Sequence, residues 1–180
     1  FQNHPDDICM EVGFGGGEYL TGQAEEQPDC GFIGVEPFQS GMAKALTAID
    51  ALGLENIRLF DQDAGPLLQW LPPASLIRVD LLYPDPWTKK RHWKRRFVSD
   101  ANVAAIARIL KPGGCFRFAS DIGAYVDWTL AHLERRPDFR RLVRSSDEMR
   151  SPWPGWKQTR YEAKALREGR TPAYLIFEKI

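Results

Sequence analysis

Between residues 83 and 96 the chain reads Tyr83-Pro84-Asp85-Pro86-Trp87-Thr88-Lys89-Lys90-Arg91-His92-Trp93-Lys94-Arg95-Arg96. Asp85 stands between two prolines. Each proline fixes its own φ and restricts the residue before it, so this carboxylate is presented on a stiff backbone. Six of the eight residues from Lys89 to Arg96 are lysine or arginine, and one is histidine. A run of cations is ordinarily a solvated face. This run lies mid-chain beside a rigid carboxylate and is interleaved with Trp87 and Trp93. That combination suits neutralisation of phosphates with an aromatic platform for an exposed base. Trp93 is the better candidate for core packing, and Trp87 is open to either use.

A second constellation lies near the start, Glu11-Val12-Gly13-Phe14-Gly15-Gly16-Gly17-Glu18. Glycines let a backbone turn sharply and approach a ligand with no Cβ in the way. The dinucleotide pattern G-x-G-x-x-G needs a glycine where Glu18 stands. A glutamate there would also meet an incoming pyrophosphate at a helix N-terminus, which is electrostatically poor. A cationic sulfonium ligand carrying an amino group suits acidic surroundings better. Glu11 can accept from such an amino group, Glu36 from two ribose hydroxyls, and Asp63 from an adenine amine. An acid ending the second strand also serves nicotinamide enzymes, so S-adenosylmethionine is favoured over NAD by the set and not by any one member.

These residues need a scaffold. The 180 residues suffice for one domain with a sizeable core. No apolar run reaches the roughly 18 to 20 residues of a membrane span, and the N-terminus lacks the basic and apolar regions of a secretory signal. Cys9, Cys30 and Cys115 are widely spaced and odd in number, which fits reduced thiols in a cytoplasmic protein without a disulfide framework or a metal site. The formal charge of zero conceals an asymmetry. Residues 1–63 hold 2 basic and 12 acidic side chains (−10), and residues 64–180 hold 22 and 12 (+10). The second half can recruit a polyanion that the first half would repel.

Short apolar runs alternate with helix-length segments. Strands are expected at Ile8–Val12, Gly31–Glu36, Ile57–Asp61, Leu76–Tyr83, Cys115–Ser120, Leu142–Ser145 and Ala173–Lys179, the last two as a hairpin pair. Helices are expected near residues 18–27, 42–52, 97–110 and 124–135, with Lys111-Pro112-Gly113-Gly114 ending the third. This alternation predicts an α/β fold with a mostly parallel seven-stranded sheet and helices on both faces. Ligands in such folds bind beyond the carboxyl ends of the strands. All the acids singled out above fall in those loops or at their edges.

The stretch P-D-P-W-x-K-K-R-H-x-K-R-R resembles the signature of bacterial tRNA (guanine-N7)-methyltransferases. Met10–Gly17, Lys111–Gly114, Ser120-Asp121 and Thr159-Arg160-Tyr161-Glu162-Ala163-Lys164 through Gly169 are similar to that family's other elements, in the same order. The resemblance implies a Rossmann-like class I S-adenosylmethionine-dependent methyltransferase, forming N7-methylguanosine in tRNA, at position 46 of the variable loop, and S-adenosylhomocysteine. It makes Glu11, Gly13, Gly15, Gly17, Glu36, Asp63 and Asp85 cofactor-site positions and Asp85 the catalytic residue. Lys89, Asp121, Thr159, Arg160, Tyr161 and Glu162 become substrate contacts. Lys90, Arg91, Lys94, Arg95 and Arg96 are candidates for the RNA backbone, and no metal is implied. Family members usually carry a further basic N-terminal segment. The expectation here is one methyltransferase domain over residues 1–180 without that extension, cytoplasmic, monomer or homodimer, with tRNA as partner and no membrane or obligate protein partner.

Thr159 and Glu162 also have the spacing of a helix capping box, and that role can coexist with substrate contact. An arginine cluster at 135, 136, 140, 141 and 144 is equally a candidate RNA surface or a solvated face. Three rival readings are an amino-methyltransferase, an RNA-binding protein without activity and a nicotinamide oxidoreductase. The first lacks its second proline, since Trp87 follows Pro86. The second has no reason for intact acidic and glycine positions, and the third none for the Lys89–Arg96 cluster.

Overall fold

Five runs rich in Ile, Val, Leu and Phe form the parallel part of a sheet that is buried on both faces at its centre, as parallel strands flanked by helices must be. In the computed structural model these are β1 (Ile8–Val12), β2 (Gly31–Val35), β3 (Ile57–Phe60), β4 (Leu76–Leu82) and β5 (Leu110–Ser120). The structure describes residue 1 and residues 5–180; His4, for which no functional role is expected, lies outside the described residues. β6 (Phe139–Arg141) and β7 (Ala173–Lys179) complete a sheet of order β3-β2-β1-β4-β5-β7-β6. β1 to β5 are mutually parallel, whereas β7 runs antiparallel between β5 and β6. The strand order reverses between β1 and β4, which places the ligand crevice above their carboxyl ends.

The helices are α1 (Glu18–Glu26), α2 (Gln39–Leu52), α3 (Ala64–Trp70), α4 (Asp100–Ile109), α5 (Gly123–Leu133) and α6 (Arg160–Arg167). The largest apolar cluster joins Val79, Leu81, Phe116, Phe118 and Phe177 of the sheet to Leu68, Ile106, Tyr125 and Leu133 of α3, α4 and α5. A second cluster packs Phe14, Leu20, Phe32 and Ala45 on the opposite face. Each fully buried large apolar side chain contributes roughly 1.5–3 kcal/mol. Register places Ser120, the last residue of β5, beside Ala173, the first of β7. The segment entering β7 therefore stands at the same sheet edge as the crevice.

Two expectations need correction, and one helix was not foreseen. The strand expected at Leu142–Ser145 is β6, and it lies earlier, at Phe139–Arg141. Residues 111–114 belong to β5, and α4 has already stopped at Ile109. α3 was not foreseen, because Gly65-Pro66 reads as a helix breaker. Proline is tolerated in a first helical turn, and Asp63 caps this one by accepting from the Gly65 N–H at 2.8 Å.

Candidate cofactor and RNA site

The glycine turn after β1 has φ of +74° at Gly13, +61° at Gly15 and +84° at Gly17, values that L side chains rarely adopt. Its backbone is tied to the end of β2. Gly13 donates to the Val35 carbonyl at 2.7 Å, and the Gly15 N–H donates to Glu36 Oε2 at 2.8 Å. Glu36 Oε1 accepts from the Phe38 N–H at 3.0 Å. Beneath the turn lies α2, where a Cβ at position 41 would come within 2.2 Å of the Gly15 carbonyl oxygen. One at position 17 would meet the Ala45 methyl at 2.8 Å. Gly41 and Ala45, spaced by four, thus form the smooth floor of the turn. The sequence reading missed both, although two small residues one helical turn apart were a usable signal.

Glu11 is 5% exposed, and its Oε2 has no hydrogen-bond partner among the described residues. It sits beside Asp80 in the sheet register. Burial, reinforced by Asp80, raises the Glu11 carboxyl well above its usual range. Asp80 is itself raised by burial, although Arg78 Nε lies 2.9 Å away and opposes the shift. A buried acceptor without a partner costs free energy, so a cationic donor is the group this site is short of. An orphaned acid, an open turn and two further acids at the strand ends fit a cationic ligand with amino and hydroxyl donors, as S-adenosylmethionine is.

Across the crevice, Asp85 is exposed on a loop flanked by two residues of positive φ, Tyr83 at +49° and Trp87 at +42°. Two such residues around one carboxylate mark a backbone held away from its preferred state. A cavity of about 410 Å3 is lined by Asp85, Pro86, Trp87, Thr88, Lys89 and His92. Lys90–Arg95 form a short 3-10 helix, on which Lys90, Arg91, Lys94 and Arg95 are exposed. Among the described residues none of these four, nor Lys89, has an ion-pair partner. Arg95 lays its guanidinium 4.9 Å from the Trp87 ring, and Trp87 meets His92 edge-on. Trp93 instead packs on Trp128, centroids 5.5 Å apart.

Two groups of cations do not behave this way. Arg96 is buried, so it is withdrawn from the candidate RNA contacts. In the second arginine cluster, Arg135, Arg136, Arg140 and Arg141 are paired with Asp100, Asp138, Glu178 and Glu134. Those four charges are already answered within the chain, which favours a solvated face for them; Arg144, the fifth of the cluster, has no ion pair among the described residues.

The terminal motif returns to the cofactor turn. Arg160 and Tyr161 overlie Gly15, where a Cβ would lie 3.1 Å from Arg160 Nη2 and 3.3 Å from the Tyr161 ring. Thr159 Oγ1 accepts from the Glu162 N–H at 3.1 Å, as a capping residue should. The Glu162 carboxylate is buried and taken: Trp156 Nε1 donates to it at 2.7 Å and Tyr174 OH donates to the other oxygen. Thr159 and Glu162 therefore set the angle of α6, and Arg160 and Tyr161 are the two that face the crevice. Asp121 pairs with Arg170, which also holds Glu168.

A protein-family model described as "Putative methyltransferase" matches residues 5–175. A tRNA (guanine-N(7)-)-methyltransferase of Chelativorans sp. is 55% identical over 174 residues, spanning 97% of this chain and 75% of the relative. One of Mesorhizobium japonicum is 56% identical over 177 residues (98% and 76%), and one of Agrobacterium fabrum 58% over 170 (94% and 73%). The chain belongs to the tRNA (guanine-N7)-methyltransferase family. Among solved structures, an rRNA methylase from Streptococcus thermophilus superposes with a TM-score of 0.63 at 14% identity, covering 98% of this chain and 88% of that one. A "putative methyltransferase from streptococcus mutans in complex with SAH" gives 0.63 at 11%, covering 97% and 89%. At such identities these two share the class I methyltransferase fold and nothing finer. Among the described residues no helix is long and apolar enough to cross a membrane.

Trp156, in a Pro/Gly-rich loop where it is expected either to pack over the cleft or to anchor the loop, holds Glu162. Tyr174, which also holds Glu162, and Arg170, which holds Asp121, carry no signal in the sequence, because their partners lie 12 and 49 positions away in the chain.

Proposed function

We propose that this chain methylates N7 of a guanine in tRNA, at position 46 of the variable loop, using S-adenosylmethionine. One arrangement supports this best: the Asp85 loop follows β4, the strand next to the β1 that carries Glu11, and five cations without an ion-pair partner among the described residues follow Asp85 in the chain. The cofactor supplies a sulfonium methyl, which passes to the N7 lone pair while the C–S electrons remain on sulfur. No proton leaves the base, so no general base is required.

The protein's work is then alignment and charge. Glu11, Glu36 and Asp63 hold the cofactor, with Gly13, Gly15 and Gly17 allowing its close approach. Holding nucleophile, methyl carbon and sulfur in line contributes several kcal/mol. Asp85 stabilises the positive charge that develops on the methylated ring. A carboxylate at Asp85 or Asp121 accepts from the guanine N1 and N2 donors, a pair that adenine lacks. Trp87, with Arg95 over it, offers a stacking face, while Lys89, Lys90, Arg91, Lys94 and Arg95 take phosphates. Arg160 and Tyr161 cover the turn from the other side. All of these residues come from one chain.

Nucleoside analysis of unmodified tRNA incubated with the protein and S-adenosylmethionine tests the reading. N7-methylguanosine is expected. An N6- or N4-methylated base would support the amino-methyltransferase reading instead.

A further inference from the structure

Arg96 ends the cationic run, yet it is only 3% exposed. Its guanidinium lies 4.8 Å from the Trp93 ring, 4.8 Å from Tyr125 and 5.2 Å from Trp128. Nε donates to the Pro86 carbonyl at 2.9 Å, and Nη1 donates to the Ala124 carbonyl at 3.3 Å. Among the described residues it has no carboxylate partner, unlike the buried Arg78, which has Asp80. A buried cation held only by ring faces and carbonyls is an expensive way to fill space. An apolar side chain of similar length would fill it at lower cost.

The two carbonyls explain the choice. Pro86 links Asp85 to Trp87, whose φ of +42° requires the surrounding structure to hold it. Ala124 lies in the first turn of α5, three residues after Asp121. A planar guanidinium with fixed donor directions can bridge two carbonyls at a set spacing, which a lysine ammonium cannot reproduce.

We propose that Arg96 is a positioning residue: its fork ties the Asp85 loop to the start of α5 and so fixes Asp85 against the Asp121 loop at the reacting base. This rests on the assignment of Asp85 to the methyl-transfer site. Arg96 itself touches no RNA.

The test uses Arg96→Lys and Arg96→Ala, each assayed for S-adenosylmethionine affinity, tRNA KM and its salt dependence, and single-turnover rate. Misplacement of a reacting group by about 1 Å can cost on the order of 100-fold in rate. The expected result is a rate loss of that order in Arg96→Ala and a smaller one in Arg96→Lys, with both affinities within about threefold of the parent. Added guanidinium at low millimolar concentration should restore part of the Arg96→Ala rate, while methylammonium should not. It should restore nothing once Asp85→Ala is also present. Should Arg96→Ala not fold, the split between rate and affinity in Arg96→Lys decides. Parental rates in the variants overturn the proposal, as does a loss confined to tRNA affinity with a shallower salt dependence. Loss of rate and cofactor affinity together, without rescue, overturns it in favour of simple packing. A parent that makes no N7-methylguanosine would instead remove the function on which the proposal stands.

Discussion

The Gly15 N–H donates to Glu36 Oε2 at 2.8 Å, so the acid proposed to receive the ribose is also the acid that shapes the glycine turn. On that proposal cofactor recognition and loop geometry are one feature, and α2 supports the turn from below. Gly41→Ala should therefore weaken S-adenosylmethionine binding at least tenfold, because its Cβ would lie 2.2 Å from the Gly15 carbonyl oxygen. The exposed neighbour in Ser40→Ala should leave binding unchanged. Isothermal titration of both variants distinguishes a turn that must be seated on α2 from one that merely contains glycines.

The unpaired cations should act through phosphates. Replacing Lys89, Lys90, Arg91, Lys94 or Arg95 singly by alanine should weaken tRNA binding and lower the slope of log affinity against log salt by about 1. Arg140→Ala should do neither, because Glu178 already answers that charge. Filter binding at a series of salt concentrations would read both, and equal effects at the two sites would remove the distinction drawn between paired and unpaired clusters.

Glu11 gives the pH prediction. Burial raises its pKa, so the unliganded fold favours the protonated form. Its contribution to stability is present at low pH and falls as pH rises through the raised pKa. An ammonium ligand favours the ionised form, so binding should release a proton and cofactor affinity should improve with rising pH. The ligand's own amino group stays protonated up to about pH 7, which sets the useful range. Titration calorimetry in buffers of different ionisation enthalpy measures the proton release, and Glu11→Gln should abolish it. Release persisting in that variant would assign the proton to another group.

The sheet and the acids at its edge were legible because they rest on local signals. Alternation of apolar runs, glycines after the first strand and acids at strand ends need no knowledge of distant partners. Asp85 was legible for the same reason, held between adjacent prolines. The roles of single cations were not. Composition counts Arg96 with its neighbours, yet it turns inward because Tyr125 and Trp128, from α5, build a cage for it. Arg140 looks as free as Lys94 until β7 brings Glu178 beside it. Glu162 has the spacing of a capping box, which the structure keeps, but its carboxylate is spent on Trp156 and Tyr174. α3 escaped notice because Gly65-Pro66 signals a break, and only the Asp63 cap shows that a helix begins there.

The most direct test of the account incubates unmodified tRNA transcript with the protein and S-adenosylmethionine, then maps N7-methylguanine by reduction and aniline cleavage. A single cleavage in the variable loop is expected, with a rate reduced about 100- to 1,000-fold in a folded Asp85→Ala variant that still binds the cofactor. Cleavage at parental rate in that variant, or no cleavage by a parent that binds S-adenosylmethionine, would contradict it.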